Sequence, residues 1–323
     1  MTVWTEWDPL EEVIVGDCRP TYPGVPELDK ILTETKEDLD NLANHLSKLG
    51  IKVHRPTIGE LHPNQVYPIV PRDQYLVYGD CIYQTYTSMQ DRYWDGLCYY
   101  DIFAQLFMQG HNWLSQPPPV LEQLQYQMAA TPYHHEYKNK LLWHTATMFK
   151  AGDSLIVNDY GPGNQNGFDW MDRNCEGTLV KNVDTKQDRW GHIDQGFYMT
   201  DDDTVFCVDI SWVPQCLRNK KIIELNNRTF KYSESVKDIQ QGNKKNLFTW
   251  LEQWQGLAQD TAFESNVLVI DSTNIVSSIE LPEVEQHGIT VHHVPIRHGM
   301  FWEAGVHCLT LDVRRNGSKR RIV

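Results

Sequence analysis

The chain contains 323 residues, of which 41% are hydrophobic and 22% are charged, as in ordinary globular proteins. Its formal net charge of -14 would repel a phosphate backbone, so we expect no nucleic-acid partner, whereas a cationic small molecule would be attracted. Its apolar runs are shorter than the ~18 residues of a membrane span, and its first residues lack the pattern of a secretory signal. We therefore expect no membrane partner.

The predicted secondary structure alternates between strands and helices along the whole chain. The predicted strands are Leu10–Gly16, Ile51–Arg55, Gln74–Tyr83, Ser154–Asn158, Asp203–Ile210, Asn266–Ile270 and Ile289–Val294. The predicted helices are Leu28–Leu49, Asp101–Gln109, Asn246–Gln255 and Leu281–His287. No linker-like boundary or strong repeat interrupts this alternation. The pattern predicts a single α/β domain over residues 1–323.

The seven cysteines are widely spaced, and no two of them have the C-x-x-C spacing of a zinc or redox motif. Such cysteines are typical of small buried side chains in a reducing compartment, which predicts a cytoplasmic location. Two adjacent histidine pairs, His134–His135 and His292–His293, lack partners at ligand spacing. We therefore expect no metal site and no cofactor.

Cys308 is the first candidate for chemistry. It follows the glycine-containing segment Trp302–His307 and precedes the strand-like run Leu309–Val313. A cysteine at such a junction can face a cleft while its backbone stays rigid, and a nucleophile needs a polarisable atom near a proton acceptor. The alternative is a buried structural cysteine, which is the usual role of an isolated cysteine.

Two further segments offer candidate functional residues. His192 and Asp194 are two positions apart, so in a strand both side chains would lie on one face. A neighbouring histidine and aspartate suit proton transfer and recognition of a cation, although a surface histidine beside a solvated aspartate would look the same. Asp73 follows Pro71 at the start of a predicted strand, where it is either a turn residue or a ligand to substrate.

Taken together, these segments resemble the glycine and inosamine-phosphate amidinotransferases, enzymes that move an amidino group from arginine to an amine. The segments that carry the resemblance follow the family's order along nearly the whole chain. They are Glu6–Gly16, Pro71–Gly79, Phe149–Gly152, Gly167–Met171, His192–Asp194 and His307–Arg315. The H-I-D and H-C-x-T-x-D-V-R-R patterns are specific, and chance is a poor explanation for finding all of these segments in order.

The resemblance implies a fold and a set of roles. The implied fold is a five-bladed α/β propeller, or pentein, with a pseudo-fivefold arrangement of ββαβ units and a central active site. Cys308 matches the nucleophile, His192 the general acid/base, and Asp73 and Asp194 the carboxylates that grip the guanidinium. A planar guanidinium offers five N–H donors, which carboxylates accept in pairs. The implied intermediate is an amidino-cysteine, formed in a ping-pong reaction.

The chain departs from the family around the donor. His144 stands where the family has an aspartate that contacts the catalytic histidine and the guanidinium, so we place His144 among the substrate-binding residues. Thr147 replaces a second acidic position, and Ser211 lies near the position of the arginine that holds the donor's carboxylate. The implied partners are a small-molecule guanidino donor and an amine acceptor whose identities stay open, and a homodimer is one option for assembly.

Three functions therefore remain in competition. The first is an amidinotransferase with an altered substrate. The second is a related hydrolase, of the deiminase or dihydrolase type, that uses the same cysteine and histidine but passes the intermediate to water. The third is a binding protein that kept the fold without catalysis. Retention of Cys308, His192, Asp194 and Asp73 speaks against the third function, and the change at His144 speaks for it.

Overall fold

The computed structural model describes residues 2–60, 67–86, 92–118, 141, 143–158, 165–183, 192–230 and 262–323. These residues contain fifteen strands. The strands are β1 Leu10–Val15, β2 Lys52–His54, β3 Tyr75–Tyr78, β4 Cys81–Gln84, β5 Asn112–Ser115, β6 Met148–Ala151, β7 Ser154–Asn158, β8 Thr178–Asn182, β9 Phe197–Met199, β10 Thr204–Cys207, β11 Lys221–Glu224, β12 Leu268–Asp271, β13 Asn274–Ser277, β14 Thr290–His293 and β15 Thr310–Arg315.

The strands form five sheets of three strands each, all built on one plan. Their orders are β3-β4-β5, β6-β7-β8, β9-β10-β11, β12-β13-β14 and β15-β1-β2. In every sheet the first two strands are antiparallel and the last two are parallel. The fifth sheet joins the two ends of the chain, because β15 pairs with β1. The predicted α/β class is confirmed.

A parallel pair of strands needs a crossover connection, and helices supply four of the five. The α-helices of the described residues are α1 Asp29–Lys48, α2 Tyr100–Met108, α3 Gln165–Asn174, α4 Pro282–Glu285 and α5 Gly299–Trp302. The first four connect the parallel strands of their sheets, while two 3₁₀ turns, Ile210–Trp212 and Gln215–Leu217, connect β10 to β11. The predicted helix Asn246–Gln255 lies outside the described residues.

Helix α1 illustrates how a crossover helix packs against its sheet. Its buried face carries Leu32, Leu39, Leu42 and Leu46 at helical spacing, and these side chains belong to the same core cluster as β1. Each fully buried leucine contributes roughly 1.5–3 kcal/mol to folding. None of the helices within the described part of the chain combines the length and apolar character that crossing a membrane would require.

The residues of interest lie on short turns that precede the first strand of a sheet. Three of these are 3₁₀ turns: Pro71–Asp73 before β3, Thr145–Thr147 before β6 and Ile193–Gln195 before β9. The prediction that Asp194 and His192 share a strand face is wrong, since His192 immediately precedes a 3₁₀ turn that contains Asp194. The turn at Pro71–Asp73 contacts the turn at Thr145–Thr147, which in turn contacts the one at Ile193–Gln195. The fold therefore gathers segments that are distant in sequence.

Candidate active site

The thiol of Cys308 is buried in a polar pocket. Its side chain is 2% exposed and lies on the turn that leads into β15. The Sγ donates a hydrogen bond to Asp194 Oδ2 at 3.1 Å and accepts one from Asn266 Nδ2 at 3.0 Å. The backbone N–H of Cys308 also donates to Asn266 Oδ1 at 3.1 Å. Asn266 thus holds both the backbone and the sulfur of Cys308 in place.

Cys308 is a thiol at neutral pH in the free protein. Burial raises the pKa of the Cys308 thiol well above its usual range, and the charges of Asp194 and Asp73 raise it further. The hydrogen bond from Asn266 acts in the opposite direction but is outweighed. Because both carboxylates favour the neutral thiol, a cation that binds between them would make the thiolate easier to form.

Asp194 is the acceptor for several donors at once. Its Oδ2 receives hydrogen bonds from His307 Nδ1 at 2.8 Å and Asn266 Nδ2 at 3.2 Å, besides the one from Cys308. Burial opposes ionisation, but the hydrogen bond from His307 and the charges of His307 and His192 hold the pKa of Asp194 well below its usual range. Its other oxygen, Oδ1, is buried and has no hydrogen-bond partner among the described residues.

Asp73 forms the second carboxylate of the site. Arg92 Nη1 donates to its Oδ2, and Arg92 Nε donates to Asp95 at 3.0 Å. Burial raises the pKa of Asp73, but Arg92, His144 and His192 together bring it below its usual value. Its Oδ1 is also buried and has no hydrogen-bond partner within the described ranges. Asp73 and Asp194 thus each keep one acceptor oxygen for a ligand.

His144 and His192 form a stacked pair beside Asp73. Their ring centroids are 5.0 Å apart and their planes differ by 13°. Burial lowers the pKa of His144 to about 3, so the ring is neutral at neutral pH and does not repel a cation. Its Nδ1 is buried and has no hydrogen-bond partner in the described part of the chain. The hydroxyl of Thr147 donates to the backbone oxygen of His144 at 2.6 Å and fixes the turn between them.

The structure brings all five predicted site residues into one region. Asp73 acts electrostatically on Cys308, and His192 acts on both Asp73 and Asp194. The roles assigned to these residues stay predictions. Three contributing residues were not predicted: His307, Asn266 and Arg92. His307 was available as the histidine before Cys308 in the quoted motif, whereas no local pattern marks Asn266 or Arg92.

A buried ion cluster of Glu6, Arg72, Lys150, Asp312 and Arg315 lies beside the site. Lys150 Nζ contacts Asp312 Oδ2 at 2.7 Å and Glu6 Oε1 at 3.2 Å. Arg72 Nη2 and Arg315 Nε reach the same Asp312 at 2.9 and 3.0 Å. Burial lowers the pKa of Lys150, even though the carboxylates of Asp312 and Glu6 act to raise it. Burial would raise the pKa of Asp312, but the charges of Lys150, Arg72 and Arg315 outweigh it and keep that pKa well below its usual range.

This cluster holds the turn that carries Cys308. Arg72 Nε donates to the backbone oxygens of His307 at 3.1 Å and Thr310 at 3.2 Å. The hydroxyl of Thr145 donates to the backbone oxygen of Arg72. Glu6 Oε2 lies 3.4 Å from His307 Nε2. The turns of Asp73, His144 and Cys308 are therefore joined through Arg72.

Replacing Asp312 by asparagine should destabilise the fold by about 3–5 kcal/mol, because it leaves Lys150 and two arginines buried without their shared anion. The unfolding free energy from urea titration measures this loss. Since the folded-state pKa of Asp312 is depressed, its stabilisation is present above the ordinary carboxyl pKa of about 4 and is lost as the pH falls below it. The difference in unfolding free energy between wild type and Asp312→Asn should shrink in acid.

Asp203→Asn, at an exposed carboxylate, is the control and should change the unfolding free energy by about 0.5 kcal/mol or less. Equal losses of unfolding free energy in both variants would contradict the role of the cluster.

Comparison with known proteins agrees with the motifs. No family model matches the chain. The inosamine-phosphate amidinotransferase 1 of Streptomyces glaucescens is 26% identical over 369 aligned positions, which cover 98% of this chain and 97% of that protein. The solved structure of the inosamine-phosphate amidinotransferase StrB1 from Streptomyces griseus matches with a TM-score of 0.78, at 24% identity, over 99% of this chain and 98% of the other. A dimethylarginine dimethylaminohydrolase from Pseudomonas aeruginosa, solved with citrulline, matches less well, with a TM-score of 0.59 at 12% identity over 94% of this chain and 99% of the other. The chain is thus similar to the inosamine-phosphate amidinotransferases over nearly its whole length, as its motifs predicted.

Proposed function

We propose that this protein is an amidinotransferase that moves an amidino group from a guanidino donor to an amine through an amidino-cysteine on Cys308. The observation that carries the proposal is a buried thiol that donates to Asp194 and lies within the field of Asp73, two carboxylates that each have one oxygen without a hydrogen-bond partner among the described residues. A guanidinium is a planar cation with N–H donors on several edges, and carboxylates are its preferred acceptors. The site therefore suits a guanidino group held over a sulfur nucleophile.

The charges of the site suggest how the reaction begins. A bound guanidinium offsets the field of Asp73 and Asp194, which raises the pKa of Cys308 in the free protein, so the thiolate becomes accessible when the substrate is in place. The thiol proton passes to His192, and the resulting thiolate attacks the central guanidino carbon and forms an S–C bond. The C–N bond to the departing amine breaks, and His192 gives that nitrogen a proton.

The second half-reaction reverses these steps with a new amine. The incoming amine attacks the amidino carbon, His192 accepts its proton, and the S–C bond breaks to release Cys308. His307 and Asn266 keep Asp194 and Cys308 in position throughout, since both contact the Asp194 carboxylate. His192 then returns its proton to the thiolate, so the free protein regains its thiol form before the next donor binds.

Several finer features belong to the same proposal. The five sheets would be arranged as a pentein propeller of ββαβ units around the site, within one catalytic domain over residues 1–323. The shared strand order supports this arrangement. A cytoplasmic location agrees with the seven cysteines, all of which are free thiols. A homodimer is proposed as the assembly, and size-exclusion chromatography with light scattering tests it.

Product analysis tests the reaction itself. The purified protein is incubated with arginine and a panel of other guanidino compounds, with and without a primary amine, and the products are identified by mass spectrometry. An amidino group on the added amine supports transfer. Urea or a ureido product without an amine would replace the proposal with a hydrolase, and no turnover of any guanidino compound would replace it with a binding protein.

Free arginine is expected to be a poor donor for this protein. His144 stands where the family has a carboxylate, and its neutral ring offers one acceptor in place of two. The loss of a charge-assisted hydrogen bond costs about 1.5–3 kcal/mol, or one to two decades in kcat/KM. Restoring a carboxylate with His144→Asp should raise kcat/KM for arginine by about 10- to 100-fold. Steady-state assays with both proteins measure this change.

The other end of arginine offers a separate test. Ser211 stands near the position of the family's arginine, and Arg218, the next arginine along the chain, is exposed and donates to the backbone oxygen of Val213 at 2.9 Å. This departure should therefore lower kcat/KM less for a guanidino donor without an α-carboxylate than it does for arginine. Efficient arginine turnover that His144→Asp leaves unchanged or worsens would show that another residue has rebuilt the pocket.

A further inference from the structure

Asp73, His144 and His192 form a compact group of metal-ligand residues within the pocket. Each of the three offers a ligand atom, and the three atoms all lie within 4.8 Å of one another. Asp73 and His144 are 4% and 5% exposed, so two of the three are almost fully shielded from water. Asp73 Oδ1 and His144 Nδ1 have no hydrogen-bond partner among the described residues. Buried polar atoms of this kind are costly unless a ligand satisfies them.

We propose that Asp73, His144 and His192 bind a divalent transition-metal ion, with Zn²⁺ the preferred ion, in the place where the guanidino group would otherwise lie. The metal is inferred as a competitor of the substrate and not as part of the transfer reaction. The competition rests on the proposed function, whereas the metal site itself rests only on the three side chains.

The donor set selects the class of ion. Two imidazoles and one carboxylate suit zinc and its first-row neighbours, whereas Mg²⁺ and Ca²⁺ prefer a shell of oxygens. Three protein ligands leave an open position for water or another ligand, as in zinc sites of the two-histidine, one-carboxylate kind. With Zn–ligand distances of about 2.0–2.2 Å, tetrahedral ligand atoms are about 3.3 Å apart. The spacing between ligand atoms would therefore shrink by up to about 1.5 Å from its maximum of 4.8 Å when the ion binds.

The charges around the group are compatible with a dication. Arg92 neutralises part of Asp73 through its Oδ2, but Oδ1 of the same carboxylate stays available. Asp194 adds a second negative charge that acts on both His144 and His192. Asp73 and Asp194 thus supply two carboxylates to the pocket, and the rings of His144 and His192 stack beside each other.

This site departs from the expectation of no metal, which rested on local ligand spacing. The three residues are spread over 120 positions of the chain, and only the contact between three successive turns brings them together. His144 is one of the positions at which the chain differs from the family that it resembles. An aspartate there would give a carboxylate-rich guanidinium site, whereas a histidine gives a mixed nitrogen and oxygen set typical of zinc.

Cobalt spectroscopy and zinc calorimetry test the site without reference to catalysis. The full-length protein is stripped with a chelator and titrated with Co²⁺ and then with Zn²⁺, and the stoichiometry is checked by elemental analysis. About one ion per chain is expected, with visible Co²⁺ bands of a low-coordinate site that Zn²⁺ displaces. His144→Phe keeps a stacked ring but no ligand nitrogen, and Asp73→Asn removes the charge. Each should weaken Zn²⁺ binding by more than about 100-fold, beyond the cost of losing a supporting residue.

Two further variants separate this site from its alternatives. His293→Ala removes an exposed histidine of β14 and should leave the affinity unchanged. Cys308→Ala, which is expected to abolish turnover, should also keep the metal, so failure of catalysis and failure of metal binding are read separately. Addition of a turned-over guanidino compound should weaken Co²⁺ binding in proportion to its concentration.

The outcomes that overturn the proposal are specific. Absence of stoichiometric binding to the wild type, or equal binding to wild type and folded His144→Phe, refutes the site, with folding checked by circular dichroism. Loss of the metal in Cys308→Ala would reassign it to a thiolate site. Loss in His293→Ala alone would reassign it to the surface. Metal binding that a guanidino substrate never displaces would refute the competition and leave the ion outside the substrate position.

Discussion

Replacement of Cys308 by alanine is expected to abolish turnover while leaving the protein folded. Removal of a nucleophile from a set of residues that act as a unit costs roughly 10⁶ in kcat in a well-studied hydrolase, and a comparable loss is expected here. The fold should tolerate the change because the sulfur contributes only a weak donor and a weak acceptor to its neighbours Asp194 and Asn266. Steady-state assay and thermal unfolding measure the two effects.

Trapping of the intermediate gives a direct view of the same residue. After the wild type is mixed with a guanidino donor and quenched in acid, intact mass should show one added amidino group, and peptide mapping should place it on Cys308. Cys216→Ala is the matched control, because Cys216 is a partly buried thiol outside the site and should be dispensable. Substantial turnover by Cys308→Ala would rule out the covalent mechanism.

Asp194→Asn should slow turnover but make the thiol of Cys308 more reactive. The two effects have opposite signs because Asp194 does two things. As an anion whose Oδ1 has no hydrogen-bond partner among the described residues, Asp194 offers a charge-assisted hydrogen bond to the guanidinium. Loss of that bond costs about 1.5–3 kcal/mol, or one to two decades in kcat/KM. As the acceptor of the hydrogen bond from the Cys308 thiol, with Sγ and Oδ2 3.1 Å apart, Asp194 adds to the effect of burial in raising the pKa of Cys308, so its neutral replacement should lower that pKa.

Alkylation by iodoacetamide across a range of pH separates these effects from simple unfolding. In the wild type, Cys308 should react slowly at pH 8 and faster as the pH rises, since only the thiolate is nucleophilic. In Asp194→Asn the rise should occur at lower pH. Asp203→Asn, at an exposed carboxylate, serves as the control and should leave both turnover and alkylation unchanged. Slower alkylation in folded Asp194→Asn would show that Asp194 activates the thiol, contrary to the charge argument.

Much of the secondary structure depends on local sequence patterns and can therefore be predicted. The apolar spacing along α1, with Gly50 just past its end, predicts a helix that the structure places at Asp29–Lys48. The strand β7 at Ser154–Asn158 has the predicted bounds, because five consecutive residues are buried there. The errors occur where a short polar stretch lies between elements. A strand period predicts that His192 and Asp194 share one face, but Ile193–Gln195 forms a 3₁₀ turn before β9 begins.

The sequence by itself determined the residue types of the chemistry and their order along the chain. Cys308, His192, Asp194 and Asp73 could be named because they stand in segments whose resemblance to a family is specific. Only the tertiary structure decided what these groups do to one another. The high pKa of Cys308, the neutral state of His144 and the partners of Asp194 depend on burial and on charges from other turns. Electrostatic energies in a buried site follow distances in space, and the contacts of Asn266, His307 and Arg92 join residues that no local pattern connects.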